Sequence, residues 1–180
     1  MASRQLILNF VFFQLGWLVC VYGAAHHMPW LGLLVTTPVI AWHLYQASAW
    51  RQELKLLILF PLVGILLDQL LLSLHLLSFP ASAWPAEWLP PWMWCLWVLF
   101  TTTLNVSLRW LKAHYWLSVI LGALGSVLAY QAGEKLGAIH LHQDWSLIGI
   151  AINWSLAMPA AVYLARRYDG FHDKEIARAA

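Results

Sequence analysis

The sequence predicts an all-α, polytopic membrane protein: six transmembrane helices in a compact bundle, with both termini on the cytoplasmic side. Three observations lead there. The chain of 180 residues is 62% hydrophobic and only 10% charged, whereas a water-soluble domain carries about 25% charged residues. Its apolar residues gather into six segments near the 17–25 residues that a bilayer-crossing helix needs. Nine of its ten Lys and Arg residues lie after an even number of those segments, the pattern left when cationic loops stay in the cytoplasm. They are Arg4; Arg51 and Lys55; Arg109 and Lys112; and Arg166, Arg167, Lys174 and Arg178. Lys135 alone falls on the other side. The net charge of +2 therefore reports topology, and no nucleic acid partner is implied.

The first span covers residues 5–24. Arg4 before it and the small residues Gly23, Ala24 and Ala25 after it resemble a signal peptide, but the apolar run exceeds a usual h-region, so it is read as a retained span. Residues 30–47 and 54–77 form the second and third spans. The short connection 48–53 makes them adjacent and antiparallel. The loop 78–91 holds Pro80, Pro85, Pro90 and Pro91, which forbid regular helix. Phe79, Trp84 and Trp88 keep it at the outer interface. The fourth span covers 92–108 and the fifth 114–130, joined by the cytoplasmic turn 109–112. The sixth covers 145–165. These spans make a membrane domain of residues 1–167, followed by a polar, mobile cytoplasmic tail, 168–180.

Side chains support this layout. Of thirteen Trp residues, Trp30, Trp50, Trp84, Trp88, Trp92, Trp110 and Trp145 fall near span ends, where the headgroup level favours an indole. Pro38, Pro61 and Pro159 lie inside spans and should kink them. In the fifth span Ser118, Gly122 and Ser126 recur every four residues, as do Gly125, Ala129, Gly133 and Gly137. Two such rows let backbones approach closely and place that helix between two neighbours. The chain has no clear internal repeat, which removes support for an inverted-repeat transporter.

Asp68 is the polar residue most in need of a reason, because a carboxylate at membrane depth costs roughly 2.5–3.5 kcal/mol. His75 follows seven residues later on nearly the same face, about 10 Å further outward, and Pro61 and Gly64 continue the stripe inward. Asp68 is either a proton-titrating or ligand-contacting group in an outward cavity, or a hydrogen-bonded tie between helices. Gln14, Asn9, Asn105 and Asn153 are the other intramembrane polar groups. Thr101, Thr102, Asn105 and Arg109 fall on one face of the fourth span. Asn9 with Asn105 would make an interhelical bond of about 0.6–2 kcal/mol. The alternative is an inner-leaflet headgroup site in which Arg109 and Lys112 face phosphate.

His26, His27, His140 and His142 cluster in outer loops, and the H-x-H pair points two rings to one side, so they are the candidate ligands for Zn or Cu. His43 and His75 lie at opposite depths and cannot share a haem iron. Cys20 and Cys95, both in outer thirds, are buried thiols or a redox pair. No Walker loop, H-E-x-x-H or G-x-S-x-G occurs, and no cofactor is expected.

Several stretches resemble a family of small bacterial inner-membrane proteins known as a domain of unknown function. They are residues 9–17 (Asn-Phe-Val-Phe-Phe-Gln-Leu-Gly-Trp) with Cys20; Leu67-Asp68; residues 100–105 (Phe-Thr-Thr-Thr-Leu-Asn) through Trp110; and residues 122–125 (Gly-Ala-Leu-Gly) with Ala129-Tyr130 and Gly133. The resemblance implies genes set beside a cyclopropane-fatty-acid-synthase-like methyltransferase and a flavin-dependent oxidoreductase, and so a role near membrane-lipid modification. It assigns no residue a catalytic part. The expected function is an accessory inner-membrane subunit that binds a lipid or apolar small molecule. Soluble lipid-modifying enzymes would meet it at the cytoplasmic face, and a homo-oligomer through the fifth span is a further expectation. The alternatives are a small proton-coupled transporter using Asp68 and a membrane enzyme with an outer Asp/His site.

Overall fold

A computed structural model describes residues 3–81 and 84–172. Among them are six α-helices: α1 (Ser3–Ala25), α2 (Trp30–Gln46), α3 (Trp50–Ser73), α4 (Pro91–Leu104), α5 (Tyr115–Lys135) and α6 (Ser146–Arg167). The all-α class holds. By length and composition, α1, α3, α5 and α6 are able to cross a membrane. The other two are shorter, with 17 residues in α2 and 14 in α4. At 1.5 Å per residue α4 extends about 21 Å, against a hydrocarbon layer about 30 Å thick.

The fourth apolar segment, expected to be helical to residue 108, is helical only as far as Leu104. Three consecutive threonines account for this. The hydroxyls of Thr101, Thr102 and Thr103 donate to the carbonyls of Trp97, Leu99 and Phe100, competing with the amide ladder. A turn at 105–108 and a 3₁₀ turn, Arg109–Ala113, follow, so Asn105 and Arg109 do not continue a helical face. The helix α4 itself is enclosed by its neighbours. It packs against α1, α2 and α3, and to a lesser extent α6. Trp92, expected at the headgroup level, is consequently core, at 1% exposure.

The start of α1 and the end of α6 share one end of the bundle. Asn9 on α1 donates to Thr102 O, and its Oδ1 accepts from Ser107, while Asn105 donates both to Glu53 on α3 and to Tyr168 O beyond α6. Arg51, Lys55, Arg109, Lys112, Arg166 and Arg167 flank these groups in the sequence, so this is the basic end. At the opposite end β1 (Leu77–Ser78) pairs antiparallel with β2 (His140–Leu141), Leu77 opposite Leu141. There the Gln69 side chain holds the proline-rich loop, donating to Glu87 O and accepting from Leu89 N.

The helix α5 packs chiefly along α6, not between two helices. Its Ser118, Gly122 and Ser126 row is buried, and a Cβ on Gly122 would lie 2.9 Å from the backbone oxygen of Trp154. The second row has no such neighbour at Gly125, where an added Cβ would meet nothing within 4 Å. The row thus borders empty space at Gly125, while Gly133 is buried against Ile139.

Candidate functional site

Asp68 joins three helices. Fully buried on α3, it accepts the Trp97 indole N–H of α4 on Oδ2 at 2.7 Å and the Tyr130 hydroxyl of α5 on Oδ1 at 2.6 Å. The sequence explains the local geometry. Gly64 sits one turn before Asp68, and any Cβ there would collide with the Trp97 ring, so glycine lets the indole lie flat against α3. The other face of Trp97 stacks on Trp154 of α6, centroids 4.4 Å apart and planes 13° from parallel. The Trp154 Nε1–H reaches toward the Tyr130 hydroxyl yet completes no hydrogen bond.

These groups line one wall of a cavity of about 470 Å³ between α1, α4, α5 and α6. Phe13, Trp17, Leu96 and Phe100 supply apolar wall, and Gly125 and Ala129 make room on the α5 side. Gln14, Leu121, Gly125 and Leu128 border the cavity and are exposed, so it opens sideways between α1 and α5, through surface that is almost wholly apolar.

A second polar centre closes the basic end. Glu53, fully buried, accepts from His43 Nε2 at 2.8 Å, Asn105 Nδ2 at 2.7 Å and the backbone N–H of Gly170 at 2.9 Å. His43 Nε2 is the donor of this pair, since a carboxylate accepts. Residues 168–171 (Tyr-Asp-Gly-Phe) fold back over the helix ends. Gly170 O accepts from Ser48 Oγ and Ala49 N, and Phe171 packs on His43, 1% exposed. Gly170 must be small, since its Cβ would lie 2.6 Å from that of Glu53. This stretch of the expected mobile tail is thus held in place, while residues 173–180 lie outside the described residues.

Asp169, in the same segment, receives a two-pronged contact from Arg109, at 3.0 and 2.7 Å, and another from Lys112 Nζ at 2.9 Å. Burial would raise its carboxyl, but these two cations outweigh burial and hold it below the usual carboxylate value. Burial pushes the Lys112 ammonium down, with Asp169 opposing. Arg109 and Lys112 therefore face a carboxylate of the chain itself, where the alternative reading of the sequence placed a phosphate.

The structure does not bring the remaining candidates together with Asp68. His75 follows the end of α3, exposed and with φ of 53°, so it leaves the Asp68 face. Asn9 bonds to Thr102 and Ser107, not to Asn105. Asn153 is buried, its Nδ2 without a partner among the described residues. His140 and His142 place their rings 4.8 Å apart, whereas exposed His26 bonds back to Tyr22 O and His27 stands exposed beside it. Among the described residues no group of three or more His, Cys, Asp or Glu is arranged to hold a metal. Cys20 and Cys95 are buried free thiols.

Sequence reasoning passes over Glu53, His43, Trp97, Tyr130 and Trp154 as site residues. Glu53 reads as a solvated loop residue beside Arg51 and Lys55, and a tryptophan within an apolar run reads as packing.

Residues 6–160 match the model of the family described as "Protein of unknown function (DUF2878)". The chain belongs to that family. The matched stretch takes in Asp68, its two donors and Trp154, as well as Glu53, His43 and Asn105, while residues 168–171 lie beyond it. No curated protein and no solved structure matches the chain.

Proposed function

We propose that the protein is an accessory subunit of the bacterial inner membrane that holds a lipid or other apolar small molecule, in the service of membrane-lipid modification. The observation that carries this reading is the cavity of about 470 Å³. It falls within the roughly 300–1,000 Å³ of small-molecule sites, which are mainly apolar with a few placed polar groups. Its opening between α1 and α5 faces where acyl chains would lie. In this reading all six helices span, α2 and the enclosed α4 included, and the basic end with both termini is cytoplasmic, following the cation bias. Soluble lipid-modifying enzymes would approach Arg51, Lys55, Arg166 and Arg167, since Arg109 and Lys112 are engaged by Asp169. The outward residues Ile120, Leu124 and Leu128 of α5 offer a surface for a second copy.

A proton-coupled transporter is the second reading, favoured by the position of Asp68 on the cavity wall. An Asp68–His75 enzyme site has no geometric support, because His75 turns away. Native mass spectrometry of gently extracted protein tests the leading reading. A retained apolar molecule is expected, and protein that is consistently empty overturns it. Reporter fusions at the two termini test the orientation.

A further inference from the structure

Resting on that reading of the cavity, we infer that its ligand is an uncharged lipid that presents a carbonyl oxygen to the Trp154 indole N–H. The lipid reaches the cavity sideways from the bilayer, between α1 and α5.

Charge complementarity selects the class. Among the described residues no Lys, Arg or His lines the cavity, and its titratable residues, Asp68 and Tyr130, bond to one another. A phosphate or carboxylate headgroup would enter a low-dielectric space with no cation to meet it and with Asp68 close by, an uncompensated burial of charge. Asp68 is 0% exposed, covered by the Trp97 indole and the Tyr130 phenol that donate to it, so an amine would have to part those rings to reach its oxygens. A neutral molecule incurs neither cost.

The donor inventory selects the acceptor. Trp154 Nε1 is buried and, although it points toward the Tyr130 hydroxyl, it completes no hydrogen bond among the described residues; Trp154 and Tyr130 both line the cavity. Indole nitrogen only donates, and a buried donor gains most from a partner when none is otherwise present. An oxygen acceptor on an otherwise apolar body satisfies it, and the aromatic and aliphatic wall takes the rest.

Two sources share this chemistry, the ring carbonyl of a prenylated quinone and the ester carbonyl of a diacylglycerol. The experiment uses the full chain in lipid nanodiscs and measures binding of a short-chain prenyl quinone, dioleoylglycerol, oleate, stearylamine, phosphatidylglycerol and the hydrocarbon squalene. The quinone or the glyceride should bind at least tenfold more tightly than any of the other four, and which one binds names the source. Equal or tighter binding of oleate, stearylamine, phosphatidylglycerol or squalene overturns the assignment. Trp154→Phe removes the N–H and should weaken the preferred lipid about tenfold. An unchanged affinity overturns the assignment. Squalene, which carries no oxygen, probes the same bond without any mutation. Gly125→Leu, placed where a Cβ meets nothing, fills the cavity and should abolish retention. If Gly125→Leu abolishes retention and Trp154→Phe changes nothing, the cavity reading stands and the carbonyl falls. If Gly125→Leu retains lipid at wild-type occupancy, the cavity reading itself is wrong.

Discussion

The Trp97 indole reaches Asp68 by lying over Gly64: Nε1 stands 2.7 Å from Oδ2, and the bare backbone of Gly64 leaves the ring its place. Gly64→Ala should push that ring away and break its bond to Asp68. Overpacking of this kind costs about 1–3 kcal/mol. A fall in unfolding free energy, with a shift in tryptophan emission, is the expected result, and a silent substitution would show that the α3–α4 contact is looser than described.

Asp68→Asn should destabilise despite matching the shape. Both Asp68 oxygens accept, but an Asn amide has one oxygen, so one buried donor would face another. The cost is about 1–3 kcal/mol. Tyr130→Phe should cost less on its own. A double-mutant cycle between the two should give a coupling energy clearly different from zero, and strict additivity would dissociate the pair.

Two glycines three residues apart on α5 should behave oppositely. Gly122→Ala crowds the Trp154 backbone and should loosen α5 from α6, lowering the thermal midpoint. Gly125→Ala meets nothing and removes backbone freedom from a helix interior, so it should be neutral or stabilise by up to about 1 kcal/mol. Reversal of this order in a thermal scan would mean that the cavity lies on the other side of α5.

Glu53→Ala should be among the most damaging single changes. It strips His43, Asn105 and the Gly170 amide of a shared buried partner, a loss of about 3 kcal/mol or more. Gly170→Ala should loosen the same contact by crowding. Limited proteolysis should then cut near residues 168–171 in both variants sooner than in the parent chain.

The Asp169 clamp should weaken in acid. Its carboxyl is held below the ordinary value of 3.8 in the folded chain, so on acidification the unfolded chain takes up the proton first. The contribution of the clamp is complete above that ordinary value and is lost as the pH falls through the lower folded one. Proteolysis near residues 168–171 should accelerate below about pH 4. Asp169→Asn should show this faster cleavage already at neutral pH, and no acid-linked increase from this group.

Much of the fold is legible in the sequence because helix length and apolarity are local properties. The starts of α2 and α6 fall within one residue of the expectation, as does the end of α1. The early end of α4 is not legible, because the hydroxyls of Thr101 to Thr103 favour a helix or its end according to which carbonyl they find. The row of Ser118, Gly122 and Ser126 signals close packing, and close packing is what it makes. Its companion row misleads, since a small residue opposite a void and one opposite a backbone look alike in sequence. Asp68 stands out by its charge, whereas its donors Trp97 and Tyr130 lie 29 and 62 positions away with nothing local to mark them. Glu53 is hidden for another reason: it is buried by a segment that comes 117 positions later.

That long separation sets an order on biosynthesis. The ribosome makes His43, Glu53 and Asn105 well before Gly170 exists to complete their shell, so the floor of the molecule stays open until the chain has been made past α6. A product cut short after α6 would keep its helices but leave an acid uncovered, a lesion that quality-control proteases could read as unfinished.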